Sequence, residues 1–118
     1  MEGSRGLGDV YKRQVVDTLN FQILKKLSKP VIFDVTHSLQ LPGGLGSSTG
    51  GRREYVLSLA KAGMSQSIAG LFLEAHPNPD EAKCDGPCAL PLSYLDEFLN
   101  QIKDLDDFVK GQNNLEIK

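Results

Sequence analysis

Two short, unbroken apolar runs constrain this chain most: Val31-Ile32-Phe33, and the stretch from Ile68 to Leu73. Neither shows the polar alternation of a half-exposed strand, so each reads as a strand covered on both faces, as in a parallel sheet. Segments with helical spacing surround them. Residues 19–28 carry Leu19, Ile23, Leu24 and Leu27, with Lys25 and Lys26 in the last turn and Pro30 barring continuation. Residues 51–62 place Val56, Leu59 and Ala60 on one face, with Gly63 as a C-terminal stop. From Pro91 a long helix carries Leu92, Leu95, Phe98, Leu99, Ile102, Leu105 and Val109, and Gly111 ends it. With Val15-Val16-Asp17 as the end of an earlier strand, the order is β(15–17), α(19–28), β(31–35), α(51–62), β(68–74), α(91–110). That alternation predicts an α/β fold built from βαβ units around a parallel sheet.

The chain has 118 residues, enough for one domain with one core. Its 13 Lys+Arg against 15 Asp+Glu give a net charge of −2, which argues against an electrostatic nucleic-acid binder. No apolar run approaches the ~18–20 residues of a membrane span, and no secretory leader is evident. The two cysteines, Cys84 and Cys88, make a poor disulfide framework, so a reducing, cytoplasmic setting is expected. Residues 41–51, LPGGLGSSTGG, read as a mobile lid near a site, and residues 76–91 as a polar, turn-rich connection. Residues 1–14 show neither period, which suits a loose native terminus or foreign sequence. Residues 112–118 are expected to fray.

Chemistry-bearing side chains gather where the two apolar runs end. Asp34 and His37 follow the first, with Gln40 close behind, and Glu74 and His76 follow the second. In an α/β barrel that end is the active face. His37 is open to two readings: a strand-end histidine satisfied by a carbonyl, or a metal ligand, general acid/base or phosphate contact. Glu74 is either a paired structural carboxylate or a functional one. Asp85, in Cys84-Asp85-Gly86-Pro87, either caps a tight turn or joins His37 and Glu74 in a nitrogen-and-oxygen ligand set, with Cys84 as a possible sulfur ligand. Gly43 and Gly44 suit a phosphate cradle, although the P-loop lysine is missing. Arg52 and Arg53 suit phosphate recognition or a solvated helix face.

The blocks PVIFDVTHSLQLPGGLGSSTGGRRE and GLFLEAHPNPDEAKCDGPCALPL stand in an order and spacing that resemble the C-terminal part of the 3-deoxy-D-manno-octulosonate 8-phosphate synthases, also called 2-dehydro-3-deoxyphosphooctonate aldolases. The resemblance runs from about Val15 to Gly111. It implies an incomplete (β/α)8 barrel, with strands 6 to 8 and their helices. It also implies condensation of phosphoenolpyruvate with D-arabinose 5-phosphate and water, giving the eight-carbon phosphosugar acid and phosphate for Kdo and lipopolysaccharide synthesis. On this reading His37, Glu74 and Asp85 are catalytic, and Asp34, Gln40, Gly43, Gly44 and Arg52 bind substrate. The complete protein is expected to be a homotetramer, and the present chain to be inactive alone, because the family's phosphate-anchoring segments lie upstream.

One subclass of the family uses a divalent metal held by the equivalents of His37, Glu74 and Asp85 and a first-strand cysteine. The CDGP turn resembles the metal-independent subclass, so no cofactor is expected, with a divalent ion as the alternative. Upstream of Val15 the resemblance stops, which favours a foreign origin for residues 1–14. Two other readings compete. One is a non-catalytic binding module derived from the same barrel, and the other is a metal domain using Cys84, Cys88, His76 and His37.

Overall fold

The computed structural model describes residues 16–45 and 48–118. Its centre is a βαβ unit. Strand β1 (Ile32–Asp34) pairs in parallel with β4 (Gly70–Phe72), in the register Ile32↔Gly70, Phe33↔Leu71 and Asp34↔Phe72. The Ala69 N–H donates to the Val31 carbonyl at 2.9 Å and the Val35 N–H to the Phe72 carbonyl at 3.1 Å, so the pairing reaches beyond both ends of the ladder. Both expected strands are present, shortened to the residues that find ladder partners. No strand forms at Val16 and Asp17, whereas the sequence led us to expect one at 15–17; residue 15 lies outside the described part. A strand exists by pairing, and Val16 and Asp17 have no ladder among the described residues.

Helix α1 (Leu19–Lys25) departs from its expected stripe. Phe21 is its buried residue, meeting Phe33 edge-on at 4.9 Å between ring centroids, while Leu19, Ile23, Leu24 and Leu27 are exposed. Helix α2 (Val56–Met64) bridges β1 to β4 in sequence and buries Val56, Ala60, Gly63 and Met64. Gly63 therefore lies inside the helix and does not stop it. A Cβ at Gly63 would stand 2.4 Å from the Phe33 ring, so the missing side chain is what lets strand and helix meet. Helix α3 (Leu95–Gly111) packs against α2 through Phe98 and Ile102, with Leu95 and Leu105 partly buried and Leu92 and Leu99 exposed. Both α2 and α3 start later than the sequence suggests, because one 3-10 turn precedes each: Arg53–Tyr55 and Leu92–Tyr94.

Two further strand pairs frame the polar end of β1 and β4. Strands β2 (Gln40–Leu45) and β3 (Ser48–Gly51) form an antiparallel hairpin where an irregular loop was expected. Glycine's low strand propensity is overridden here by backbone pairing at Gln40↔Gly51, Leu41↔Gly50 and Leu45↔Ser48. Residues 46 and 47 of the expected lid, like the opening residues 1–14, lie outside the described part. Strands β5 (Ala75–His76) and β6 (Leu90–Pro91) pair in parallel within the segment read as turns, with 3-10 turns at Pro79–Glu81 and Gly86–Cys88 between them. The described residues thus make an α/β assembly that does not close into a barrel. No helix among them is long and apolar enough to cross a membrane.

Candidate active site

The end of β1 turns sharply, and the turn is held by its own side chains. Asp34 Oδ1 accepts the backbone N–H of His37 at 3.0 Å, and Ser38 Oγ donates to the Asp34 carbonyl at 2.7 Å. The 3-10 turn His37–Leu39 follows and aims the imidazole at the end of β4. There the His37 ring lies 6.0 Å from the Phe72 ring. Thr36, fully buried, accepts the Glu74 N–H on Oγ1 at 2.8 Å, and the Glu74 carbonyl takes the Leu90 N–H at 3.0 Å. Glu74 is therefore gripped on both backbone faces just where β4 gives way to β5. Sequence reasoning passed over Thr36; its signal was a hydroxyl flanked by the apolar end of β1 and the first polar group of the site.

Asp85 comes in from the connection between β5 and β6. Its backbone is left-handed, φ 56°, a conformation that aspartate tolerates better than most residues. The carboxylate makes no cap to the turn. Oδ2 lies 3.0 Å from His37 Nε2, and Oδ1 accepts from Gln40 Nε2 at 2.8 Å. Gln40 stands at the base of the hairpin, and β3 lies against the Gly86–Cys88 turn beyond Asp85. Glu74 Oε1 completes the group at 3.6 Å from His37 Nε2.

Both ring nitrogens of His37 thus face carboxylates, Asp34 at 2.8 Å on Nδ1 and Asp85 at 3.0 Å on Nε2. A neutral imidazole has one N–H, so only the imidazolium satisfies both contacts at once. The hydrogen bond to Asp85, and after it the one to Asp34, hold the imidazolium above its ordinary pKa, against a smaller opposing effect of burial. His37, Glu74 and Asp85 offer ligand atoms within 4.8 Å of one another: one nitrogen and two carboxylate oxygens. That set suits a divalent cation as well as a shared proton. It is the metal-capable group among the described residues, and neither cysteine belongs to it. The cysteine/histidine metal reading is therefore not supported: Cys88 is buried in the core, where burial pushes its thiol pKa up, and His76 Nδ1 accepts the Asn78 N–H at 2.9 Å.

Of the residues read as substrate-binding, Asp34 and Gln40 belong to this cluster, through protein contacts. Arg52 does not join its hydrogen bonds. It lines a neighbouring cavity of about 360 Å³ with Ser38, Leu39 and Tyr55, and its buried Nε has no partner there. Arg53 pairs with Asp80 at 2.8 Å. Gly43 and Gly44 fall within β2.

The profile of the DAHP synthetase I family matches residues 2–111, taking in most of the opening stretch as well. A 2-dehydro-3-deoxyphosphooctonate aldolase of Hahella chejuensis (strain KCTC 2396) is 62% identical over 112 residues, which is 95% of this chain and 40% of that protein. The protein of the same name from Pseudomonas fluorescens (strain SBW25) is 63% identical over 107 residues, 91% of this chain and 38% of its own length. That from Stutzerimonas stutzeri (strain A1501) is 62% identical with the same coverage. The chain spans about two fifths of the length of these curated relatives. Matched along nearly its whole length, this chain belongs to the DAHP synthetase I family.

Proposed function

We propose that this chain is the C-terminal part of a (β/α)8 barrel enzyme of the 2-dehydro-3-deoxyphosphooctonate aldolase type. The complete enzyme, a cytoplasmic homotetramer, condenses phosphoenolpyruvate with D-arabinose 5-phosphate and water to give 3-deoxy-D-manno-octulosonate 8-phosphate and phosphate. The observation that carries this reading is the meeting of His37, Glu74 and Asp85 beyond the C-terminal ends of parallel β1 and β4. Barrel enzymes hold their chemistry at that end. The names and the 62–64% identity of the relatives support the same substrates.

In this reaction water adds to the enol carbon that bears the phosphate, the methylene carbon bonds to the aldehyde carbon, and phosphate leaves. The water must lose a proton while the aldehyde oxygen gains one. His37, held as an imidazolium between carboxylates, is suited to donate to that oxygen, and Glu74 or Asp85 to receive from the water. Gln40 steadies Asp85 from the base of the hairpin.

A divalent ion, when bound, would be held by His37, Glu74 and Asp85 and would supply Lewis-acid polarisation. The CDGP turn at Cys84–Pro87 favours the metal-independent form, in which these three groups act without it. The test is condensation by the complete enzyme with and without chelator. Activity that persists in EDTA is the expected result. Loss of activity, restored by Mn²⁺ or Zn²⁺, overturns the metal-independent reading. No condensation under either condition overturns the enzyme reading in favour of a binding module.

A further inference from the structure

Asp34 spends both of its carboxylate oxygens on one residue. Oδ1 accepts the backbone N–H of His37 at 3.0 Å, and Oδ2 lies 2.8 Å from ring Nδ1. We infer that Asp34 is a positioning residue of the site and not a substrate ligand: its two-point grip fixes the imidazole so that only Nε2 faces Glu74 and Asp85. The grip is local, three residues back along one turn, so it holds whatever happens to the hairpin or to the β5–β6 connection. On the far side of the ring the two carboxylates arrive from separate segments, at 3.0 Å for Asp85 and 3.6 Å for Glu74. Without an anchor at Nδ1, rotation about the histidine side chain would let those carboxylates compete for either nitrogen. A catalytic or ligating histidine generally needs such a third group to orient it.

The chemistry of the grip makes a sharp distinction. Both partners on His37 are N–H donors, so Asp34 must supply two acceptors, which a carboxylate does. Asparagine has the same shape and one acceptor oxygen, so its amide nitrogen fits opposite Nδ1 only if the ring gives up that proton and with it the imidazolium. Asp34→Asn should therefore behave much like Asp34→Ala, despite preserving the volume of the side chain.

Two experiments test this, and the kinetic one alone rests on the proposed function. In the complete enzyme, both variants should lower kcat by about 10–100-fold, a range common for groups that orient a ligating or catalytic histidine. KM for both substrates should stay within about twofold of wild type. A rise in KM with kcat preserved would mark Asp34 as a substrate ligand and overturn the inference. Full activity in Asp34→Asn would do the same. The second experiment needs no activity: nitrogen-15 NMR of the complete enzyme, with the His37 signals assigned by their loss in His37→Gln and His76, whose Nδ1 accepts the Asn78 N–H, as the internal reference. At pH 6 the His37 backbone N–H and ring Nδ1–H should be shifted downfield and slow to exchange. Asp34→Ala should abolish both effects and Asp34→Asn at least one, with His76 unmoved. His37 signals that ignore both substitutions would refute the grip, whatever the enzyme assay shows.

Discussion

Gly86 is where the backbone leaves least room around the proposed site. A Cβ added there would lie 2.3 Å from the Pro79 carbonyl oxygen, whereas ordinary contact begins near 3.4 Å. Backbone meets the new atom directly, so no rotamer change relieves the clash, and the two turns must part by about 1 Å. Overpacking of this kind costs about 1–3 kcal/mol. Removing a glycine's freedom from the unfolded chain returns about 0.4–1 kcal/mol. The net loss for Gly86→Ala is then between about 0 and 2.6 kcal/mol, with a midpoint of about 1.3 kcal/mol. The local effect is sharper, because Asp85 is the next residue. Its contacts at 3.0 Å to His37 and 2.8 Å to Gln40 do not survive a displacement of that size. The assay is urea unfolding of the complete enzyme at fixed protein concentration, joined to an NMR titration of the His37 ring. The variant should unfold at lower urea, and the His37 pKa should fall back toward its ordinary value of about 6.5. An unchanged midpoint with an unchanged ring titration would refute the packing argument.

The raised pKa of His37 also sets a pH dependence of stability. Its contribution is complete below the unfolded pKa of about 6.5 and fades as pH rises through the higher folded value. A His37→Gln variant should lose that part of the stability–pH curve, and superimposable curves would count against the carboxylate pairing. The face that carries the site is also apolar and open: Ile32 is 58% exposed and Phe72 47%. The isolated chain should therefore self-associate and show no condensation activity. Sedimentation as a monodisperse monomer with a sharp cooperative melt would contradict this.

The parallel βαβ unit was legible because buried strands leave a mark that needs no context: Val31-Ile32-Phe33 and Ile68 to Leu73 are apolar throughout. Strand lengths were not legible, since a strand ends where its partner's hydrogen bonds end. The starts of α2 and α3 were missed by several residues because a single 3-10 turn is too short for its period of about 3.0 residues to be told from the period of about 3.6 residues of a first α turn. Five glycines and a proline hid the β2–β3 hairpin, which shows in the backbone register. At the site, His37, Glu74 and Asp85 stood out by their place after apolar strands and in a tight turn. The work of Asp34 and Gln40 did not, because spacing shows which groups are near and not where each lone pair points. The exposed Leu19, Ile23, Leu24 and Leu27 mark the opposite failure: a helical stripe says that a face is apolar, not what covers it.

The proposed role of His37 at the reacting carbons is tested most directly by turnover of the complete enzyme carrying His37→Ala. The phosphate released from phosphoenolpyruvate in the presence of D-arabinose 5-phosphate should fall by about 10²–10⁴-fold, the usual contribution of a general acid or base. The fold should be retained, because the imidazole side chain is 36% exposed and contacts polar groups of the mouth. Wild-type turnover in that variant would contradict the assignment of the site.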